Sequence, residues 1–293
     1  MNNIKSKIMF IVSMVIFGTI AVFVKKINVS SGELALYRAI LAAGIIGLYL
    51  LITKQKIDFR SVKKDLILIT ISGMAMGFNW IFLFEAYKYT TVSVATLTYY
   101  FAPIIVMIVC PILLKEKMTI KQWICFIVST IGIFLIIGIT NISINSNHFL
   151  GVIFGISAAI FYATVIIINK YIKSISGIHR TFIQFIAAII VLIPYVLFTS
   201  GFNLNALELP GWINLLIVGI IHTGITYCLY FTSLKNLNGQ TVSILSYIDP
   251  LVAIIVSFML KETMTTFQII GGVLIIISTV LNEIKFKSLE IKE

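Results

Sequence analysis

Apolar residues in this chain come in long uninterrupted blocks, separated by short polar segments, and not in the alternation of a half-buried strand or the narrow stripe of a surface helix. A helix that crosses a bilayer needs roughly 20 mostly apolar residues. Ten blocks meet that length: Ile8 to Val24, Glu33 to Ile52, Leu66 to Tyr87, Val92 to Leu114, Trp123 to Ile139, Phe149 to Asn169, Thr181 to Thr199, Trp212 to Leu234, Thr241 to Leu260 and Phe267 to Ile284. The pattern predicts an all-α polytopic membrane protein with ten transmembrane helices. Met1 to Phe10 runs into the first block without a small-residue cleavage site, so that block is expected to be retained as a span.

The polar segments set an orientation. With the N-terminus cytoplasmic, the inside segments hold Lys5, Lys7, Lys54, Lys56, Arg60, Lys63, Lys64, Lys115, Lys117, Lys121, Lys170, Lys173, Arg180, Lys235, Lys285, Lys287 and Lys292. The outside segments hold Lys25, Lys26, Lys88 and Lys261, and Arg38 lies inside a block. A split of 17 to 4 predicts that both termini face the cytoplasm.

The blocks also repeat. "YFAPIIVMIVCPILLKEKMT" in the fourth and "YIDPLVAIIVSFMLKETMT" in the ninth pair Tyr100 with Tyr247 and Pro103 with Pro250, and, after a slip of one residue, Glu116 with Glu262. Ser31-Gly32 matches Ser176-Gly177, Gly77 matches Gly224, and Phe17 matches Phe161. Each copy holds five blocks, an odd number, so the second copy enters the membrane from the opposite side. The expected units are residues 1–141 and 149–285. The loops agree: the five-cation stretch from Lys54 to Lys64 corresponds to "SGFNLNALELPGW", which has no cation.

Polar and helix-breaking residues inside the blocks mark candidate chemistry. Pro103, Pro111 and Pro250 each remove a backbone donor, which predicts kinks beside a shared cavity, with inherited packing kinks as the alternative. Asp249 falls near the middle of the ninth block, where a charge costs at least about 2.5 kcal/mol and should face the bundle interior or water. Three roles are open for it: proton carrier, solute contact, or structural hydrogen bonder. Positions matched between the copies, and their neighbours, supply further solute-binding candidates: Asn79, Trp80, Tyr99, Tyr100, Tyr227, Tyr230 and Tyr247, with His222 near the middle of the eighth block. Arg38 could pair with Glu33, with Asp249, or with an anionic solute. Glu85 and Lys88 are spaced as a surface pair, and the small residues at Gly73, Gly77, Gly151 and Gly155 read as close helix contacts.

Composition narrows the classes. Hydrophobic residues make up 59% of the chain, charged residues 11%, and the mean hydropathy is +1.07. The net charge of +11 lies in short loops and not on one stripe, so it speaks for topology and not for nucleic acid. Cys110, Cys125 and Cys228 stand singly in apolar blocks and suit packing. Paired metal-spaced carboxylates, HExxH, a nucleophile elbow and a Walker loop are all missing from the sequence. No enzyme activity, cofactor or metal is expected.

Two five-helix repeats, each with a proline in its fourth helix and an "LLKEK" or "LKET" glutamate about a dozen residues later, resemble the ten-helix EamA branch of the drug/metabolite transporter superfamily. The resemblance covers residues 1 to 290 and rests on duplication plus order. It implies a central cavity lined by the first, third, fourth, sixth, eighth and ninth spans, and export or exchange of small metabolites such as amino acids. Asp249 stands where the family often has a polar residue before the ninth-helix proline; the first-copy counterpart is Ala102, so the site would be asymmetric. Arg38 resembles the arginine frequent in the family's second helix. The expected function is a secondary transporter in the cytoplasmic membrane working by alternating access, its partners a small-molecule solute and the lipid bilayer, with a homodimer allowed but not required. A flippase for a lipid or lipid-linked sugar, and a nontransporting membrane scaffold, are the alternatives.

Overall fold

The computed structural model describes residues 3–24, 26–57, 59–90, 95, 98–115, 118–137, 146–175, 177–204, 207–259 and 266–283. Among these residues every regular element is helical. In chain order they are α1 (Asn3–Gly18), α2 (Ile20–Val24), α3 (Ser31–Ile52), α4 (Phe59–Tyr89), α5 (Phe101–Leu114), α6 (Ile120–Ile137), α7 (Ser146–Tyr171), α8 (Gly177–Thr199) and α9 (Leu209–Ile217). A π-helical stretch, Val218–Ile225, joins α9 to α10 (Thr226–Leu234), followed by α11 (Gly239–Ser246), α12 (Ile248–Met259) and α13 (Thr266–Glu283).

Among the described residues, six stretches are long and apolar enough to cross a membrane: Asn3–Val24, Ser31–Ile52, Val62–Ala86, Phe149–Tyr171, Gly177–Thr199 and Leu209–Leu234. Three shorter apolar helices, Phe101–Leu114, Ile120–Leu135 and Ile269–Asn282, accompany them. Large apolar side chains point outward all around the bundle, among them Ile67, Ile112, Ile120 and Phe198, the last 89% exposed. A soluble protein does not present such a surface, whereas lipid tails solvate it at no cost.

Two helix pairings frame the interior. α4 lies along α7 and α8, while α6 lies along α13. Small residues make the first contact close: a Cβ on Gly73 of α4 would come within 2.4 Å of the Gln184 carbonyl oxygen and 2.7 Å of Ala187 Cβ. Gly77, Gly151 and Gly155 face similarly tight neighbours, as the small-residue spacing predicts. Glu85 and Lys88 form their surface pair, and the Tyr195 hydroxyl donates to the same Glu85 carboxylate. The cysteines are free thiols within the packed interior.

The two matched prolines do not kink a continuous helix. Pro103 and Pro250 are each the third residue of a new helix, α5 and α12, in the first turn where a missing N–H has no intrahelical acceptor to lose. The preceding residues, Tyr100 and Tyr247, take nearly the same backbone conformation, φ −73°, ψ 4° and φ −72°, ψ −6°. Their matched positions in the sequence are thus matched breaks in the fold. Pro111 and Pro194 lie deeper within helices, in α5 and α8.

Candidate functional site

The breaks converge. α1 stops at Gly18, and the Thr19 hydroxyl, which donates to the Ile16 carbonyl at 2.8 Å, also lies 3.1 Å from His222 Nε2 in the π-helical stretch. Thr223 and Thr226 hydroxyls donate to carbonyls five residues back, Val218 and Ile221, each at 2.8 Å, and so add side-chain bonds to the wider π turn. Gly18 allows α1 to meet α12 at its start: a Cβ there would lie 2.6 Å from the carbonyl oxygen of Asp249. Interrupted helices of this kind persist in a membrane only where their freed backbone groups face protein or a cavity.

Aromatic side chains fill the convergence, with Tyr227 of α10 at the centre. Its ring lies 5.0 Å from Phe17, 5.5 Å from Phe185, 5.9 Å from Trp80 and 6.0 Å from Tyr230, all close to edge-on. Trp80 and Tyr227, related by the internal repeat, therefore touch, and Trp80 is only 4% exposed, which rules out an interfacial belt position. On one side the Arg38 guanidinium sits 4.1 Å above the Trp80 ring and within interaction range of Tyr227. On the other, Tyr99 stacks flat on Tyr162 at 5.4 Å, and the Tyr230 hydroxyl donates to that of Tyr162 at 3.3 Å. Asp249 faces this second side, hydrogen-bonded to Tyr100 and within the electrostatic reach of Tyr162 and Tyr227.

Asp249 is in the first turn of α12, where the partial positive charge of the helix N-terminus favours a carboxylate. Arg38 has aromatic neighbours instead, the Trp80 ring and Tyr227. It is 7% exposed, its Nε has no acceptor, and among the described residues no carboxylate lies within ion-pair distance. The result is a buried cation and a partly buried anion on two sides of one aromatic cluster.

The other candidates separate. Glu33 caps α3: its backbone N–H donates to Ser30 Oγ at 3.2 Å, and its carboxylate accepts from the Ser30 N–H, the Tyr37 hydroxyl and the Asn203 N–H. Those bonds occupy it, and it is not the charge partner of Arg38. Asn79 donates to the Ala158 carbonyl at 2.7 Å, tying α4 to α7. Tyr247 points away, into the packing between α6 and α13, with its hydroxyl 3.0 Å from Thr130 Oγ1. His222 is 3% exposed, packs on Phe23 and lies within the field of Arg38. Three participants escaped the sequence reading: Tyr162, Phe185 and the π-helical stretch. The Phe17 to Phe161 match, one residue short of Tyr162, was the available signal for the first of them.

A second polar cluster lies elsewhere. Arg180, counted with the loop cations in the sequence, is fully buried in α8. It donates to the Ile175 carbonyl at 2.7 Å, the Ile172 carbonyl at 3.1 Å and Asn169 Oδ1 at 3.2 Å, while Asn169 and Gln184 both donate to Ser72 Oγ. Asp65 of α4 accepts from the N–H groups of Lys173 and Ser174 at 2.9 and 2.7 Å. Together these bonds lock the α7 to α8 connection onto α4.

Comparison with known proteins places this architecture. The model of the EamA-like transporter family matches twice, over residues 4–138 and 149–283. A relative named "Uncharacterized transporter YxxF" from Bacillus subtilis (strain 168) is 34% identical over 249 residues, 85% of this chain and 79% of that protein. "Protein PecM" from Dickeya dadantii (strain 3937) is 24% identical over 214 residues, 71% of this chain and 70% of that one. A solved crystal structure shares the fold with a TM-score of 0.80 at 13% identity, over 96% of this chain and 98% of the other. With helices fit for a bilayer and the family model matched across both halves, the chain belongs to the EamA-like transporter family and is a multi-pass membrane protein of the transporter kind.

Proposed function

We propose that this protein is a secondary transporter that exports or exchanges small metabolites of the amino-acid kind across the cytoplasmic membrane by alternating access. Ten spans form two inverted five-helix repeats, and both termini face the cytoplasm. The observation that carries the reading is the meeting of helix breaks, at Thr19, Tyr100 and Tyr247, and the π-helical stretch, around a cluster with Arg38 on one side and Asp249 on another. Breaks at matched residues of two like halves are what a pair of rocking elements needs at its midplane.

In this reading the Arg38 guanidinium, seated over Trp80 with no carboxylate within ion-pair distance among the described residues, takes a carboxylate of the solute, and Asp249 takes its amine. Tyr227, Tyr230, Tyr99 and Tyr162 enclose the rest. The test is solute-dependent flux in proteoliposomes without ATP, preceded by a thermal-shift panel of amino acids, amines, nucleobases and sugars. Flux of an amino-acid-like solute that Arg38→Ala and Asp249→Asn each reduce at least about tenfold, roughly 1.4 kcal/mol per lost contact, is the expected result. Undiminished flux in both variants overturns the site assignment. Headgroup-specific lipid movement without any soluble solute overturns the transporter reading in favour of the flippase. A flux through Asp249→Asn that keeps its rate but loses its pH dependence between pH 5 and 8 assigns Asp249 to proton coupling instead of amine binding.

A further inference from the structure

The basic segment after α3 belongs to neither cluster described above. α3 ends in a tight closure: the Lys54 N–H donates to the Leu51 carbonyl at 3.2 Å, and the Gln55 N–H to the Leu50 carbonyl at 3.0 Å. Lys54 has φ +53°, the left-handed conformation that glycine adopts at lower cost in this motif. A lysine there spends conformational energy to hold a cation at the end of the helix. The turn folds Gln55, Lys56 and Ile57 back beside Leu50 and Leu51, and with Phe182 of α8 they line a cavity of about 530 Å³. Gly47 forms its floor, where a Cβ would come 3.2 Å from the Phe182 ring.

The walls of this cavity are apolar, apart from Gln55 and Lys56 at the mouth. Lys54 and Lys56 are exposed, as are Lys63 and Lys64 at the start of α4. The Asp65 carboxylate of α4 accepts the Lys173 and Ser174 N–H groups. Leu51, 77% exposed, opens the slot sideways toward the lipid phase. A soluble solute would find no hydrogen-bonding walls here, whereas an amphiphile with an apolar tail and an anionic head would find both of its halves matched.

We propose that this groove between α3 and α8 seats one anionic glycerophospholipid. An acyl chain lies against Leu50, Ile57 and Phe182, and the phosphate meets Lys54, Lys56 and the Gln55 amide. The proposed cytoplasmic orientation decides only which leaflet supplies the lipid. The site sits at the junction of α3, which carries Arg38, and α8, which carries Arg180, so a bound lipid would brace both helices.

The test is native mass spectrometry of the full-length protein, titrated with phosphatidylglycerol and with phosphatidylcholine of identical acyl chains. The expected result is at least about tenfold tighter retention of the first phosphatidylglycerol than of phosphatidylcholine, from two ammonium groups near the phosphate. In the double variant Lys54→Gln/Lys56→Gln the ratio should fall below about twofold, while Leu51→Trp, which intrudes on the slot, should weaken both lipids. Both variants alter exposed side chains, so a monodisperse elution profile verifies the fold. Equal retention of the two lipids, or a preference that survives the lysine double variant, overturns the proposal. So does an uncharged diacylglycerol of the same chains that competes with phosphatidylglycerol equally well, because it would assign the groove to the tails alone.

Discussion

Two arginines are buried in the same bundle, and they are used in opposite ways. Arg180 on α8 spends its guanidinium on the backbone carbonyls of Ile175, Ile172 and Asn169 and on the Asn169 amide oxygen, all in the buried interior. Arg38 on α3 lies over Trp80 with its Nε lacking an acceptor and no acid within ion-pair distance among the described residues. Burial alone therefore does not separate a structural charge from a functional one. The count of satisfied donors does: a saturated guanidinium has nothing left to offer a solute, and an unsaturated one is held at a cost that a ligand can relieve.

The sharpest way to break this comparison is to remove each arginine. Arg180→Met should cost about 3 kcal/mol or more of stability, because the Ile172 and Ile175 carbonyls lose this donor together and the Asn169 amide oxygen keeps only Gln184. It would register as a large drop in the detergent melting temperature and as poor monodispersity. Arg38→Met should leave the melting temperature of the solute-free protein nearly unchanged or raise it, since a hydrophobic residue replaces a buried charge that no acid neutralises among the described residues. It should nevertheless abolish the solute-dependent thermal shift. If the two substitutions instead destabilise equally, the distinction between the arginines fails.

Smaller effects sharpen the picture. Gly18→Ala should lower stability by about 1 to 3 kcal/mol and slow transport, since the added methyl meets the Asp249 carbonyl and the Val252 side chain, and a backbone atom cannot swing aside. Asp65→Asn keeps one acceptor oxygen for the Lys173 and Ser174 N–H groups but loses the charge, and should lower stability by about 1 kcal/mol with no change in solute affinity. Trp80→Phe keeps a ring under Arg38 with a weaker face; a loss of about 0.5 to 1 kcal/mol should appear as a roughly two- to fivefold rise in the transport KM.

Much of the candidate site was legible in the chain because it follows from local rules. Trp80, Tyr227, Tyr230 and Asp249 stood out as polar or matched residues where lipid would otherwise demand apolar ones, and the structure brings all four to one place. Glu33 was legible too, but as the wrong thing: "SSGE" is a capping box, and its serine and glutamate satisfy each other before any distant arginine can compete. Arg180 misled for the converse reason. A cation near the end of an apolar block reads as a loop charge until the carbonyls of Ile172 and Ile175 are seen to fold back over it.

Length and apolarity of the blocks determined the helical class, because a backbone surrounded by lipid must satisfy its own hydrogen bonds within each segment. The repeated Tyr-x-x-Pro element, from Tyr100 to Pro103 and from Tyr247 to Pro250, likewise determined where two breaks would fall, since proline withholds a donor wherever it stands. Only the tertiary structure decided that each break starts a new helix, that span-length Leu209–Leu234 widens into a π turn beside Thr19, and that Arg38 rests on Trp80 while Arg180 is saturated. Those outcomes depend on which carbonyls and rings lie within about 3 to 6 Å of a side chain, and such neighbours come from residues far away along the chain.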